Sequence, residues 1–467
     1  MQDERLIEIR PSKRQIEIQN LGFYAFFHFT INTFTGKEWG DGQESPSLFN
    51  PEEMDADQWV RAIKAAGMKG AILTCKHHDG FCIWPSRYTE HSVKASPYQN
   101  GQGDIVREVS DACKRHGIKF GVYLSPWDRN QRTYGEGKAY NDYFVNQLTE
   151  LLTQYGELFC VWFDGACGEG KNGKKQDYDW ERYYKTIRKY QPDACISVTG
   201  PDVRWCGNEA GDTRQSEWSV VPATMSMAEK IAEASQQEDN TAFREKTISS
   251  MEQDLGSRER LKNEEKLIWY PAEVDVSIRP GWFYHKEEDT QVRSLENLVD
   301  IYEKSVGGNA TLLLNIPPMP NGKLNEVDVA RLEELGAFLR KKYEKNLAKD
   351  AHIYVEENQK SILAEELKED DFQTYYEGKK SKMKITVMWE DPVDVSAIVL
   401  KEDIRFSQRV EKYKVFVWGE KGLELVYEGT TIGFRKIISI KKRKINVVIV
   451  KIDDSRVAPV LSCIGVY

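Results

Sequence analysis

An alternation of short apolar runs with helical patterns constrains the fold of residues 20–345 more than any other feature of this sequence. The runs at 71–75, 120–124 and 158–163 are almost continuously apolar. Strands of this kind are buried on both faces, and intervening helices imply a parallel sheet that the helices cover. Because the number of such units suits a closed barrel better than an open sheet, we predict an α/β fold, a (β/α)8-like TIM barrel.

Two parts of the chain depart from this pattern. Residues 267–270 and 311–316 are predicted as the sixth and eighth strands, whereas no clear seventh strand emerges and the polar stretch 206–265 is expected to form loops. After about residue 350, short alternating strands follow without helices, which predicts a C-terminal antiparallel β-sandwich. We expect a catalytic barrel at 1–347 and a sandwich at 348–467 that supports the barrel rather than binding sugar.

Composition excludes several classes of protein. A net charge of −9 disfavours nucleic acid as a partner, and no apolar run is long enough for a membrane span. The eight cysteines lack metal-ligand spacing and are expected to be free thiols rather than a disulfide framework or a zinc site. No leader segment is recognisable, so we expect a cytoplasmic protein, or a periplasmic or secreted one from which a leader has been removed. The sequence does not specify an oligomeric state.

Polar and aromatic residues follow the apolar strands. Since catalytic groups of parallel barrels lie at the C-terminal strand ends, we expect these residues to converge: His28, His77, His78, Tyr123, Asp164, Arg204, Glu273 and Asn315. Paired histidines suggest a zinc ion. However, neighbouring residues of a strand point to opposite faces, so His77 and His78 should not bind one ion together, and metal-dependent hydrolysis is the less favoured interpretation.

Ordered motifs give a more specific indication. Phe27-His28-Phe29-Thr30, Glu38-Trp39, Lys76-His77-His78-Asp79-Gly80-Phe81, Tyr123-Leu124-Ser125-Pro126-Trp127 and Trp162-Phe163-Asp164-Gly165 resemble those of glycoside hydrolase family 29, the α-L-fucosidases. The resemblance covers roughly residues 15–345. Gly207-Asn208-Glu209-Ala210-Gly211 and Ser216-Glu217-Trp218-Ser219 resemble the branch that prefers α-1,3/1,4-linked fucose. The C-terminal sandwich also resembles that of the family.

The resemblance implies a retaining mechanism that uses two carboxyl groups about 5–5.5 Å apart. Asp164 matches the nucleophile. The acid/base is expected on a variable loop, with Glu209 as first choice and Glu217 and Glu273 as alternatives. Glu217 has a competing interpretation as the partner of an ion pair with Arg214.

Other motif residues are expected to bind the sugar. The resemblance implies substrate contacts for one set of side chains: His28, Glu38, Trp39, His77, His78, Tyr123, Arg204 and Trp282. We predict no cofactor and no metal, and a fucosylated oligosaccharide or glycan as substrate. Two alternatives stay open: a barrel glycosidase acting on another L- or deoxy-sugar, and a non-catalytic sugar-binding protein.

Overall fold

Parallel strands form a barrel in the N-terminal part of the computed structural model, which describes residues 2–244, 246–357, 359–371 and 373–467. The strands before the C-terminal sheet are β1 (Phe23–Phe27), β2 (Gly70–Lys76), β3 (Lys119–Leu124), β4 (Leu158–Phe163), β5 (Cys195–Val198), β6 (Arg204–Trp205), β7 (Val220–Pro222), β8 (Leu267–Trp269), β9 (Ala272–Ser277) and β10 (Ala310–Asn315). Eight of them form one sheet in the order β5-β4-β3-β2-β1-β10-β9-β6, with every pair parallel. The predicted TIM-barrel architecture is therefore confirmed.

The barrel is nearly closed. The two strands at the ends of this order, β5 and β6, are joined by one parallel bridge between Ser197 and Val203. The backbone N–H of Val198 donates to the carbonyl of Val203 at 3.0 Å. Val198 has φ +65°, a left-handed conformation that is strained for a β-branched residue. The least regular part of the sheet thus lies where β5 turns towards β6.

The prediction for the sixth strand was wrong. Residues 267–269 form β8, which pairs with β7 in a separate antiparallel sheet. The sixth barrel strand is the two-residue β6, and the seventh is β9, which pairs with β10 from Ala272 to Ser277. Sequence periodicity missed both, because β6 is too short to show a pattern and β9 carries Glu273 and Asp275 among its apolar residues.

Helices pack around the barrel. The helices are α1 (Gln2–Glu8), α2 (Lys13–Leu21), α3 (Asn32–Thr35), α4 (Ala56–Ala65), α5 (Ile105–His116), α6 (Lys138–Gln154), α7 (Trp180–Tyr190), α8 (Ala228–Ala234), α9 (Thr241–Arg244), α10 (Leu295–Ser305) and α11 (Glu326–Lys342). Asp55 and Asp104 cap α4 and α5 by accepting from backbone N–H groups at 2.8 and 2.9 Å. Gly117 ends α5 in the left-handed conformation that a side chain would disfavour.

Apolar packing is divided between two layers of the barrel. Alternate strand residues point outwards to the helices or inwards to the barrel axis. Leu73, Val122 and Val161 belong to the outer core, which includes helix residues such as Val109. The inner core is rich in aromatic rings: Tyr24, Phe26, Tyr123 and Trp162. The floor of the barrel opening is therefore built from aromatic side chains.

An antiparallel sandwich follows the barrel. Its strands are β11 (His352–Glu357), β12 (Lys360–Leu363), β13 (Tyr376–Glu377), β14 (Met383–Glu402), β15 (Val410–Gly419), β16 (Gly422–Gly429), β17 (Lys436–Ser455) and β18 (Val460–Val466). Runs predicted as separate strands join into the twenty-residue strands β14 and β17. Register shifts divide β14, so that its first part pairs with β11 and its last part with β18. The strand β14 thereby takes part in both layers of the sandwich.

Polar contacts hold the sandwich against the barrel. Backbone N–H groups of Ser219 and Phe434 donate to the side-chain oxygens of Gln408 and Asn309, at 2.9 and 2.7 Å. Arg258 forms an ion pair with Asp454 at 2.8 Å. Within the described part of the chain, no helix has the length and apolar character needed to cross a membrane.

Candidate active site

One pocket opens at the C-terminal end of the barrel. Distant segments of the sequence contribute predicted residues to its wall: His28, Glu38, Trp39, His77, His78, Asp164, Glu209 and Trp282. The remaining wall residues were not predicted: Phe26, Trp162, Gly165, Ala166, Val198, Trp205, Ser235, Gln236 and Asp275. The position agrees with the general location of catalytic groups in parallel barrels.

Asp164 follows β4 directly and presents its carboxyl to the pocket. Its Oδ1 accepts from the backbone N–H of Ala166 at 2.8 Å, and its Oδ2 accepts from the hydroxyl of Tyr123 at 2.9 Å. The side chain keeps 23% of its surface exposed. Burial raises the pKa of Asp164 above its ordinary value, while these two donors act in the opposite direction. Asp164 is thus oriented on both oxygens yet accessible.

Glu209 lies on a loop after β6. The neighbouring Asn208 is buried and fixes this loop, because its Oδ1 accepts from the backbone N–H groups of Ala210 and Asp212 at 3.1 and 3.2 Å. Oε2 of Glu209 accepts from Nε1 of Trp282 at 3.1 Å. Burial, together with the charge of Asp164, raises the pKa of Glu209 to about 7, against the opposing effect of the Trp282 donor. Glu209 can therefore hold a proton near neutral pH.

His28 has a defined tautomer. Its Nδ1 lies 2.8 Å from Oδ1 of Asn315, whose amide nitrogen donates to Ser277 Oγ and to the carbonyl of Trp282. The amide orientation makes Nδ1 of His28 the donor, which leaves Nε2 as an acceptor. Burial lowers the pKa of His28 to about 4. The His28 ring is therefore neutral near pH 7.

His77 and His78 both face the pocket, which corrects the prediction that they point to opposite faces. Their ring centroids are 4.1 Å apart. The alternation rule fails because β2 ends at Lys76, and the chain then turns, with the N–H of Gly80 donating to the carbonyl of His77 at 3.0 Å. Gly80 has φ +79°, and a Cβ there would lie 2.3 Å from Oδ1 of Asp128, so this turn requires glycine.

A hydrogen bond also orients the His78 ring. Nδ1 of His78 lies 2.8 Å from Oγ of Ser125, whose hydroxyl donates to the carbonyl of Trp127 at 2.7 Å. His78 is therefore the donor in this contact, and its Nε2 carries a lone pair. Burial lowers the pKa of His78 to about 3 and also lowers the pKa of His77.

Glu38 forms a wall of the pocket through protein contacts. Its Oε2 accepts from the N–H of Trp282 at 2.9 Å, and its Oε1 accepts from the N–H of Phe283 and from Nε2 of His285, at 3.2 and 2.6 Å. Burial acts to raise the pKa of Glu38, but the bond from His285 and the nearby Arg244 hold it below its ordinary value. Glu38 is thus an ionised group that anchors Trp282. Trp39 packs edge-on against His78, with ring centroids 5.2 Å apart.

Arg204 and Glu217 do not lie in this pocket. They form a buried ion pair at 2.7 Å, and Arg214 adds a second contact to Glu217 at 3.0 Å. Burial acts to raise the pKa of Glu217, but the two arginines reverse this and lower it. This alternative acid/base candidate therefore favours the ionised form and is paired with two arginines. Arg204 does not contact Asp164, because it is turned towards Glu217 and the carbonyls of Trp218 and Tyr270.

Glu273 is placed within β9 rather than after a strand, and its carboxyl points into the barrel. It accepts from Nε1 of Trp162 at 2.7 Å and from the hydroxyl of Tyr24. Burial raises the pKa of Glu273 to about 7, and both donors oppose that effect. Trp162 is stacked on Tyr123 with a centroid separation of 5.2 Å. Glu273 therefore lies beneath the pocket rather than in it.

Several wall residues were missed by sequence reasoning. Asp275 lies two positions beyond Glu273 on the same face of β9 and accepts from Nε1 of Trp205 at 2.5 Å. Burial raises the pKa of Asp275, and the charge of Glu209 adds to this. If β9 had been placed correctly, Asp275 would have been predicted to face the barrel interior, because it lies two positions after Glu273 on the same strand. Arg244 lies 3.6 Å from Glu38 and belongs to the polar stretch 206–265, where no sequence motif pointed to it.

One group of described side chains has the composition of a metal site. The donor atoms of His77, His78 and Asp164 all lie within 4.8 Å of one another. Two neutral imidazoles and a carboxylate are a common ligand set for zinc. The same pocket otherwise presents hydrogen-bonding groups and indole rings, which suit a small polar ring with an apolar face.

Comparison with known proteins identifies relatives over nearly the whole chain. The family model for alpha-L-fucosidase matches residues 14–344. Alpha-L-fucosidase 1 of Arabidopsis thaliana is 37% identical over 98% of this chain and 87% of its own length.

Solved structures also identify relatives in this family. A glycoside hydrolase 29 family member from an unknown rumen bacterium has 38% identity and a TM-score of 0.80, over 98% of this chain and 77% of its own. A Ruminococcus gnavus GH29 fucosidase, solved in complex with fucose, has 32% identity and a TM-score of 0.82, over 98% of this chain and 95% of its own. The chain is therefore an enzyme that belongs to the α-L-fucosidases of glycoside hydrolase family 29.

Proposed function

We propose that this chain is an exo-acting, retaining α-L-fucosidase with Asp164 as nucleophile and Glu209 as acid/base. One observation carries the proposal: both carboxyl groups line the same pocket, but their surroundings differ. Asp164 accepts two hydrogen bonds on a carboxylate that reaches the pocket, whereas Glu209 has a single indole donor and a pKa of about 7. Such a pair suits one ionised and one protonated carboxyl at the same pH.

The proposed chemistry proceeds in two displacements. In the first, a carboxylate oxygen of Asp164 bonds to the anomeric carbon, and the glycosidic bond breaks as Glu209 gives its proton to the leaving oxygen. In the second, Glu209 takes a proton from water, whose oxygen displaces Asp164 from the anomeric carbon. The products are L-fucose of retained configuration and the free alcohol.

Sugar recognition follows from the hydrogen-bonding state of the pocket. Nε2 of His28 and of His78 carry lone pairs, so each accepts a hydrogen bond from a sugar hydroxyl. Trp282 offers an indole face, and its position is fixed by Glu38 and by the carbonyl contact to Asn315. Fucose, with several hydroxyls and one apolar methyl group, matches this combination. The fucose complex of the Ruminococcus gnavus enzyme supports the same class of ligand.

For linkage, we propose a preference for α-1,3- and α-1,4-linked fucose at the ends of oligosaccharides or glycoconjugates. The support is the resemblance of residues 207–211, which carry Glu209, to the branch with that preference. The second motif, at 216–219, contributes the buried ion pair of Glu217 rather than a pocket residue. The linkage proposal therefore rests on the loop around Glu209.

A panel of α-1,2, α-1,3 and α-1,4 fucosyl oligosaccharides tests the proposal, with fucose release measured by chromatography. We expect cleavage of the α-1,3 and α-1,4 compounds and poor cleavage of α-1,2. Equal rates on all three would overturn the linkage proposal. Aryl glycosides of other L- and deoxy-sugars are the control for a different substrate, and no turnover of any fucoside would favour a sugar-binding protein.

We also propose that residues 1–347 act as the catalytic unit and that residues 348–467 support it. The contacts of Gln408, Asn309 and the Arg258–Asp454 pair favour a supporting role, because they tie the sandwich to barrel loops. A chain ending at residue 347 should be insoluble or less stable to heat than the full chain. A stable, fully active fragment would contradict this assignment.

A further inference from the structure

We propose that a divalent transition metal ion such as Zn²⁺ binds reversibly to His77, His78 and Asp164 and inhibits the enzyme. The ion would occupy the pocket as an inhibitor, and turnover requires its absence. The inhibitory effect rests on the proposed role of Asp164, whereas the binding itself depends only on the three donor groups.

The separation of the donors suits this ion. Tetrahedral zinc holds nitrogen and oxygen ligands at about 2.0–2.2 Å, which places ligand atoms roughly 3.4 Å apart. Nε2 of His78 and Oδ2 of Asp164 are already 3.7 Å apart. The donor atom of His77 lies within 4.8 Å of both. A small closing movement of the His77 ring therefore completes three ligands.

The contacts of His78 prepare it to bind a metal. A metal-binding histidine usually donates its second ring N–H to a fixed acceptor, which sets the tautomer. Nδ1 of His78 has such an acceptor in Ser125, whose own proton is committed to the carbonyl of Trp127. The lone pair on Nε2 consequently faces Asp164.

Asp164 supplies the third donor without losing its other contact. Oδ1 is held by the N–H of Ala166, so Oδ2 is the oxygen that faces the histidine. Tyr123 donates to this same Oδ2, which has a second lone pair for an ion. An ion at this place withdraws the electron pair that attacks the sugar, and it fills space beside His77 and His78. Inhibition should thus be competitive with fucoside.

Binding is tested first without reference to turnover. The full chain, treated with chelator and dialysed, is titrated with Co²⁺, and the visible absorption of the bound ion is followed. We expect one Co²⁺ per chain, displaced by Zn²⁺. His77→Gln and His78→Gln should each weaken binding by at least about tenfold, and Ser125→Ala by about 10–100-fold.

His116→Gln is the matched control. His116 also contacts a carboxylate, with Nε2 2.8 Å from Oδ1 of Asp57, but it lies outside the pocket. Its substitution should leave Co²⁺ binding unchanged. Circular dichroism of each variant establishes that it is folded. Unchanged affinity in folded His78→Gln, or loss of binding in His116→Gln, would overturn the proposal.

Inhibition is tested on the unaltered enzyme. Zn²⁺ should raise KM for an aryl α-L-fucoside and leave kcat unchanged, and chelator should restore full activity. L-Fucose should displace bound Co²⁺. Failure of the function proposal is distinguishable, because it would appear as no turnover in chelator-treated enzyme. Zn²⁺ inhibition that lowers kcat alone, with no effect of fucose on Co²⁺ binding, would place the ion elsewhere and contradict the inference.

Discussion

The hydroxyl of Tyr123 holds Oδ2 of Asp164 at 2.9 Å, while the Tyr123 ring rests on Trp162 with an interplanar angle of 28°. Trp162 in turn donates to the buried carboxyl of Glu273 at 2.7 Å. The orientation of the proposed nucleophile therefore depends on a chain of contacts that begins in the barrel interior.

Replacement of Asp164 should abolish turnover. We expect Asp164→Ala to lower kcat/KM for an aryl α-L-fucoside by at least about a thousandfold, because no covalent intermediate can form. Added azide should restore cleavage and give β-fucosyl azide, which nuclear magnetic resonance identifies. The control is Asp104→Ala, which removes a helix cap and costs about 1 kcal/mol of stability. Rescue that yields no β-fucosyl azide would argue against Asp164.

Glu209→Gln should affect substrates according to their leaving groups. In natural oligosaccharides the leaving group is a sugar alkoxide, which departs poorly without a proton. For these substrates kcat/KM should therefore fall by about 10²–10⁴-fold. An aryl fucoside with an acidic phenol should lose much less in its first step. Steady-state rates on both substrates measure the difference. Equal losses for the two would assign Glu209 a role in binding rather than in proton transfer.

The dependence of kcat/KM on pH should be bell-shaped. Glu209 is required in its protonated form, and its pKa of about 7 places the alkaline limb near neutral pH, with a decline of about tenfold per pH unit above it. Asp164 is required as carboxylate, so activity is also lost as pH falls through its raised pKa. Glu209→Gln should remove the alkaline limb. An unchanged limb in that variant would identify another acid.

Glu217→Gln should reduce stability without changing the pH profile. The substitution leaves Arg204 and Arg214 without their buried carboxylate, a change that costs about 3–5 kcal/mol. Urea unfolding measures the loss, and the folded variant should keep the kcat/KM profile of the parent. If the alkaline limb disappeared instead, Glu217 would be the acid/base despite its two arginine partners.

Trp162→Phe should lower kcat more than it changes KM. The phenyl ring keeps contact with Tyr123 but loses the donor to Glu273, so the chain that orients Asp164 is weakened. A misplaced nucleophile costs up to about a hundredfold in rate. Glu273→Gln, which keeps an acceptor for the indole, should have a smaller effect. A change confined to the melting temperature would indicate that these residues serve folding only.

The barrel was predictable because its strands carry a strong signal. Residues 71–75 and 158–163 form continuous apolar runs, which are typical of parallel strands that are buried on both faces, here by the helices outside and by the barrel core inside. β6 and β9 were not predictable in the same way. β6 has only two residues and shows no periodicity. The acidic side chains of β9 accept hydrogen bonds from residues far away in the sequence, such as Trp162 and Tyr24, which no local pattern reveals.

The site was predictable where motifs coincide with strand ends. Asp164 and His28 follow strands directly, whereas the orientation of His77 and His78 depends on a turn that the alternation rule ignores. The roles of His285 and Arg244 depend on tertiary contacts with Glu38, which no local pattern encodes. Sequence thus identified most of the polar pocket residues but not the contacts that set their charge.

The strands β4 and β6, which precede the two proposed catalytic carboxyl groups, differ in length. The proposed nucleophile, Asp164, directly follows a six-residue strand that has neighbours on both sides, whereas the proposed proton donor, Glu209, lies beyond a two-residue strand on a loop fixed by Asn208. A loop exchange that keeps Glu209 should alter which alcohol departs and leave the setting of Asp164 unchanged. Replacement of this loop should therefore change the range of leaving alcohols, while the histidines that are proposed to bind the sugar stay on their own strand ends.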